Sequence, residues 1–200
     1  MRIWEQVRIV TGAEQIAVSA PYCPEWPEKA RAIGGKWDSA RSLWKFDARD
    51  EARVRDLCVE VFGTDGHPVE VRDIRVALDG LPSLGDSLWV GGRLVCRRRN
   101  RDWKVELGDG VVSVSGDFPR SGGSSKHPRL DPMPGTVLEV RDVPLSIAEA
   151  LVAAEPRAYS FVERPAEPGK PDIEDGPLAA FSTSELLDEL KRRGISEIVT

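Results

Sequence analysis

The chain has 200 residues and a mass of 22.0 kDa, room for one large domain or two small ones. Its apolar share of 40% excludes a wholly disordered chain, and no run reaches the roughly 18–20 apolar residues of a membrane helix. The net charge of −5, from 28 Lys and Arg against 33 Asp and Glu, argues against a nucleic-acid partner when taken whole.

In chain order, Ile3, Glu5, Val7 and Ile9 alternate, as do Ile16 and Val18, with Gly12 between them, which predicts a hairpin. Pro24 to Ile33 reads as a helix stopped by Gly34 and Gly35. Lys36-Trp37-Asp38 and Leu43-Trp44-Lys45-Phe46 then flank a short turn. Asp50 is placed to cap a helix whose Val54, Leu57, Cys58, Val61 and Phe62 share one face and whose end is Gly63. The expected order is ββαββα, a small α+β module over residues 1–68.

Residues 69–154 read as a β-rich module, a sheet or small barrel. Val69 to Leu78 suggests a strand, and Leu88-Trp89-Val90 turns at Gly91-Gly92 into Arg93-Leu94-Val95-Cys96. Trp103, Val105 and Leu107 alternate before Gly108-Asp109-Gly110, and Val112 and Val114 after it, predicting another hairpin. Thr136–Arg141 is a further strand, followed by a helix near Leu145–Ala154.

Residues 155–181 change composition. Pro156, Pro165, Pro168, Pro171 and Pro177 predict an extended linker. Beyond it, Ser182 and Glu185 have capping-box spacing, and Leu186, Leu187 and Leu190 form an apolar stripe before Gly194. A tethered helix over residues 182–194 is expected. It docks on its own protein or on a protein partner.

The segment from Ile16 to Phe62 carries a recognisable set: Ile16-x-Val18, Tyr22, Arg31, Ile33, Gly35, Trp37-Asp38, Arg41, Trp44-x-Phe46 and the helix with Val54. This set resembles the HARP domain of annealing helicases, over about a quarter of the chain. The resemblance implies a DNA-binding accessory unit that favours branched or partly single-stranded DNA. No GxxxxGK[ST] phosphate loop occurs, so the chain is expected to lack the ATP-driven motor of those helicases.

The charges support a division. Residues 155–200 carry 6 basic and 10 acidic side chains, so most of the net negative charge lies there, while residues 93–129 hold nine Lys and Arg against four Asp and Glu. Trp44 and Phe46 share one strand face and are expected in the core, with Trp37 placed either in the core or against a base. Lys36, Arg41 and Lys45 are the better phosphate contacts beside them. Arg97, Arg98, Arg99 and Arg101 form the densest basic cluster, weighed as phosphate-binding against a solvated surface run. Lys126 and Arg129 flank the Gly/Ser loop that starts at Ser121, a weak anion-binding signal.

Catalytic residues, a metal site and a cofactor are not expected. His67 and His127 are the only histidines, and Cys23, Cys58 and Cys96 lack ligand spacing; widely spaced and odd in number, they suit a reducing cytoplasm. The sequence therefore predicts a cytoplasmic, non-enzymatic protein without a membrane partner. Its partner is expected to be branched or single-stranded DNA, with RNA left open. The alternative is a protein-binding adaptor or an inhibitory subunit of a mobile-element or defence complex, using Leu186, Leu187 and Leu190.

Overall fold

The architecture, described for residues 3–163 of a computed structural model, is mixed α+β with three sheets. Residues 3–162 lie in one compact unit holding two clusters of buried apolar side chains.

The first cluster is built on a four-stranded antiparallel sheet of β1 (Arg8–Thr11), β2 (Gln15–Ser19), β3 (Lys36–Asp38) and β4 (Leu43–Asp47), in the order β1-β2-β4-β3. Alternation decides its faces: Ile16, Val18, Trp44 and Phe46 are buried, while Ala17 and Lys45 point to the other side. Helix α1 (Ile3–Gln6) precedes the sheet, α2 (Trp26–Ala32) follows β2, and α3 (Glu51–Phe62) follows β4. Helices α2 and α3 cover the buried face, where the Trp26 and Phe62 ring centroids lie 5.0 Å apart.

The expected ββαββα order is present, with two local corrections. Ile3 to Gln6 is a helical turn rather than part of a strand, because Ile3 and Val7 are both buried and the Val7 N–H bonds to the Ile3 carbonyl, the spacing of a helix. Asp50 makes no side-chain cap; Asp47 instead accepts from the Arg49 N–H and starts a 3-10 turn, Ala48–Asp50, that leads into α3. All five apolar residues of the expected α3 face are buried, and Gly63 closes the helix in the left-handed conformation at φ 71°.

The second cluster lies among two further sheets. One contains β5 (Val71–Ala77), β9 (Val111–Ser115), β10 (Val137–Pro144) and β11 (Tyr159–Phe161) in the order β11-β5-β10-β9. The other is β6 (Ser87–Val90), β7 (Arg93–Arg97) and β8 (Glu106–Leu107). Helix α4 (Leu145–Ala154) follows β10. The expected hairpin across Gly108-Asp109-Gly110 does not form: β8 pairs with β7, whereas β9 pairs with β10. That turn therefore carries the chain from one sheet to the next. Strand β11 falls within the stretch expected as linker; Tyr159 is buried and pairs with Val76. The helix expected over residues 182–194, with Leu186, Leu187 and Leu190, and the linker beyond residue 163 lie outside the described residues.

The two clusters meet at Phe62. Gly92 has φ 73°, and a Cβ there would strike the Phe62 ring, so the β6–β7 turn comes this close to α3 only because the residue is glycine. No helix among the described residues is long and apolar enough to cross a membrane.

Candidate functional site

Trp37 and Trp44 are cross-strand partners on β3 and β4, with ring centroids 5.5 Å apart at an interplanar angle of 56°. Trp44 is buried, whereas Trp37 is 51% exposed at the end of the same face. The backbone of Gly35 fixes this end of the sheet. A Cβ there would lie 2.5 Å from the Phe46 ring and 2.6 Å from the Ala30 carbonyl, so only glycine lets β3 pass so near α2. Arg31, on α2, donates to the Pro27 carbonyl at 3.2 Å and sets its guanidinium 5.4 Å from the Trp44 ring centroid, a cation–π contact.

Together Pro21, Tyr22, Trp26, Arg31, Trp37 and Trp44 line an open cleft of about 280 Å³. Tyr22 is 72% exposed. The cleft therefore has a buried tryptophan at its base and two exposed aromatic rings with one cation beside them. A ring packed on a buried one, as Trp37 is on Trp44, offers flat apolar surface with less side-chain freedom left to lose on binding. The Trp26 indole N–H, buried in the cleft wall, has no hydrogen-bond partner.

A second cavity of about 470 Å³ adjoins the first. Pro21 and Tyr22 line both, and Tyr22 meets Trp89 edge-on with centroids 6.0 Å apart. The Trp89 indole N–H donates to the Ser87 hydroxyl at 3.2 Å, which holds its ring in place. Arg97, Arg99 and Glu106 line it as well. Glu106 bridges the two arginines, 2.9 Å from Arg99 Nε and 3.8 Å from Arg97 Nη2. The Arg97 Nε is buried and unpartnered.

The expected contact residues divide into separate groups. Trp37 lines the cleft, and Arg97 and Arg99 line the adjoining groove. Lys36 and Lys45 face each other across β3 and β4, on the reverse face from Trp37. Lys45 pairs with Asp38 at 2.7 Å, and this ammonium holds the Asp38 carboxyl below its ordinary range. Arg41 is exposed in the turn, where its backbone N–H is held by Asp38 at 3.2 Å. Arg101 is exposed and lies 3.6 Å from Asp102.

Arg98 corrects the reading of the basic run as a surface. Its side chain is fully buried. Its Nη1 donates to the Trp103 carbonyl at 2.6 Å and, at 3.4 Å, to those of Arg101 and Arg120, and its Nη2 to Pro119 at 2.8 Å and Leu130 at 3.3 Å. A guanidinium has enough donors in one plane to hold several loops at once, and that is how it is used. It is closed to a phosphate.

The Gly/Ser loop is likewise closed on itself. The Gly122, Gly123 and Ser124 N–H groups bond to the Arg101 carbonyl, the Asp131 carboxylate and the His127 carbonyl at 3.0, 2.9 and 2.8 Å. An anion cradle needs those donors free. Lys126 is exposed, and Arg129 lies 3.3 Å from Asp131.

Sequence reasoning left Tyr22, Arg31 and Trp89 out of the candidate contacts. Tyr22 and Arg31 stood among the residues that carry the HARP resemblance; Trp89 had no signal beyond being a tryptophan in a hairpin. No group of His, Cys, Asp and Glu suited to a metal ion occurs among the described residues. Burial pushes the Cys58 and Cys96 thiols up to about 12, which suppresses the thiolate at neutral pH. No family model, curated protein or solved structure matches the chain.

Proposed function

We propose that this is a non-enzymatic, cytoplasmic nucleic-acid-binding accessory protein that engages unpaired bases of single-stranded or branched DNA. The observation that carries the reading is the cleft: Trp37 half exposed beside buried Trp44, with Tyr22 at its edge and Arg31 over the Trp44 ring. An aromatic face stacks on any base, and a nearby cation favours the phosphate attached to it. Paired bases in a duplex hide their faces, so this chemistry selects single strands, forks and loops. The HARP resemblance supports the same reading, because its Tyr22, Arg31, Trp37 and Trp44 are cleft-lining residues. The three buried, unpaired cysteines suit a reducing compartment.

Fluorescence anisotropy with labelled single-stranded, forked and duplex DNA tests it. Single-stranded and forked DNA should bind more tightly than duplex. Trp37→Ala should weaken single-strand binding by about 1–3 kcal/mol, roughly 5- to 150-fold. Equal affinity for all three DNAs, unchanged in Trp37→Ala, would remove the proposal.

A protein-binding role has its own supporting observation. Strand β9 is a sheet edge with Val112 and Val114 exposed and no charged residue from Val111 to Ser115. Such an edge accepts an added strand from an extended peptide. A charge introduced by Val112→Lys would abolish that mode and leave the cleft untouched.

A further inference from the structure

We infer that the cleft and the groove are two stations of one track for a single strand, with Glu106 set as a competitor for the phosphates. This rests on the nucleic-acid reading of the cleft and adds a second contact region outside the HARP-like segment. Three observations carry it. The two cavities are not independent, since Pro21 and Tyr22 form a wall of each. The wall continues as the Tyr22–Trp89 edge contact, and both rings line the groove together with Arg97 and Arg99. In the groove, Arg97 and Arg99 supply two cations, and Glu106 is the carboxylate that holds both.

The chemistry of the two stations is complementary. The cleft offers ring faces and one cation, which suits a base. The groove offers guanidiniums, which suit the anionic backbone leading from that base. Arg93 also lines the groove, but it is held by the carbonyls of Arg141, Asp142 and Asp109 at 2.6, 3.1 and 2.7 Å, so it supports the wall rather than the strand. Asp109 adds a second carboxylate to the groove, which makes the cations there few and Arg97 and Arg99 decisive.

Glu106 gives the track a distinctive signature. In the free protein its carboxylate occupies the position that a phosphate would take between the two guanidiniums. A bound strand must displace it. Removing its charge therefore frees two cations without altering either one.

The test uses the full chain and labelled oligothymidines of about 4 and about 12 nucleotides, a short and a long occupant by the site sizes of single-strand binders. An oligouridine of the longer length runs beside them. The double variant Arg97→Gln/Arg99→Gln should weaken the longer strand far more than the shorter one. Loss of two phosphate contacts should lower the salt slope by about 1.4, so about sevenfold less affinity is lost between 50 and 200 mM salt. Glu106→Gln should act in the opposite sense, tightening the longer strand and steepening its salt dependence. This carboxamide variant changes no arginine and keeps the side-chain size, and circular dichroism checks that each variant folds.

If Trp37→Ala weakens both oligomers while the arginine and Glu106 variants change neither, the cleft binds a base and the track is wrong. If no oligomer binds the folded protein at low salt, the cleft reading fails with it. Equal binding of the oligouridine supports the same track with either sugar, while weaker binding supports it for DNA alone.

Discussion

Arg31 and Arg98 show how differently the two halves of the described chain use a guanidinium. In the first, Arg31 is exposed and its charge lies over the Trp44 ring at the mouth of a cleft. In the second, Arg98 is wholly buried and its charge faces main-chain carbonyls from three stretches of loop, at Arg101 and Trp103, at Pro119 and Arg120, and at Leu130. The second half is the more basic in sequence between residues 93 and 129, yet its densest run contributes a structural staple. Counting cations along a chain does not locate a basic surface. Where each one finds its partner does.

The sharpest way to break this contrast is to remove the staple. Arg98→Met should destabilise the protein by roughly 2–4 kcal/mol, because five main-chain carbonyls lose a shared donor and the Leu130 carbonyl loses it in the interior. Arg98→Lys should recover only part of that, since an ammonium cannot reproduce the planar set of donors. Urea titration followed by circular dichroism measures both. A loss below about 0.5 kcal/mol in Arg98→Met, the scale of an ordinary surface substitution, would mean that Arg98 is replaceable and the contrast false.

The next effect separates the two members of one cross-strand pair. Trp44→Ala removes a buried ring and should cost roughly 3–5 kcal/mol in stability. Trp37→Ala, at 51% exposure, should cost under about 1 kcal/mol while carrying the binding defect. Thermal melts beside the anisotropy series distinguish them. Comparable stability losses in the two variants would show that Trp37 is core rather than contact surface.

Much of the first half was legible from its sequence. Alternation in Ile16-x-Val18 and Trp44-x-Phe46 gave the buried face, and Gly63 gave the end of α3. The exposure of Trp37 was less so, since it shares a sheet face with Trp44 and differs only in that β3 is the edge strand. In the second half, period two marked strands but not their partners. Val112 and Val114 alternate as a hairpin would, but β9 finds β10 across many intervening residues. Long-range pairing of that kind leaves no local trace. Arg98 was invisible for a related reason: its acceptors come from Trp103, Pro119 and Leu130, none of which shares a pattern with it. Tyr22 and Trp89 meet across the boundary of the two halves, so the continuity of cleft and groove could come only from the fold.

The smallest effect concerns acid, and it too should distinguish the halves. Among the described residues, the carboxylates held below their ordinary range lie in the first: Asp38 by Lys45, Asp47 by Arg49, and Glu51 by Arg55 with help from Thr11. Asp65 joins them, where burial acting upward is outweighed by His67 and Arg55. A carboxyl with a lower pKa in the folded state contributes stability that is present above its unfolded pKa of about 4 and is lost as pH falls through the folded value. Asp38 and Asp47 are joined to β3 and β4, Glu51 begins α3, and Asp65 follows it, so the loss below about pH 4 should concentrate on that sheet and helix. Hydrogen exchange measured at pH 5 and at pH 3, corrected for intrinsic rates, checks it. Amides of β4 and α3 should lose protection before those of β5 and β10. Because these pairs reach solvent, most fully at Asp47 and Arg49 and partly at the others, the difference should shrink in high salt, which screens surface charges but leaves the Arg98 staple in place.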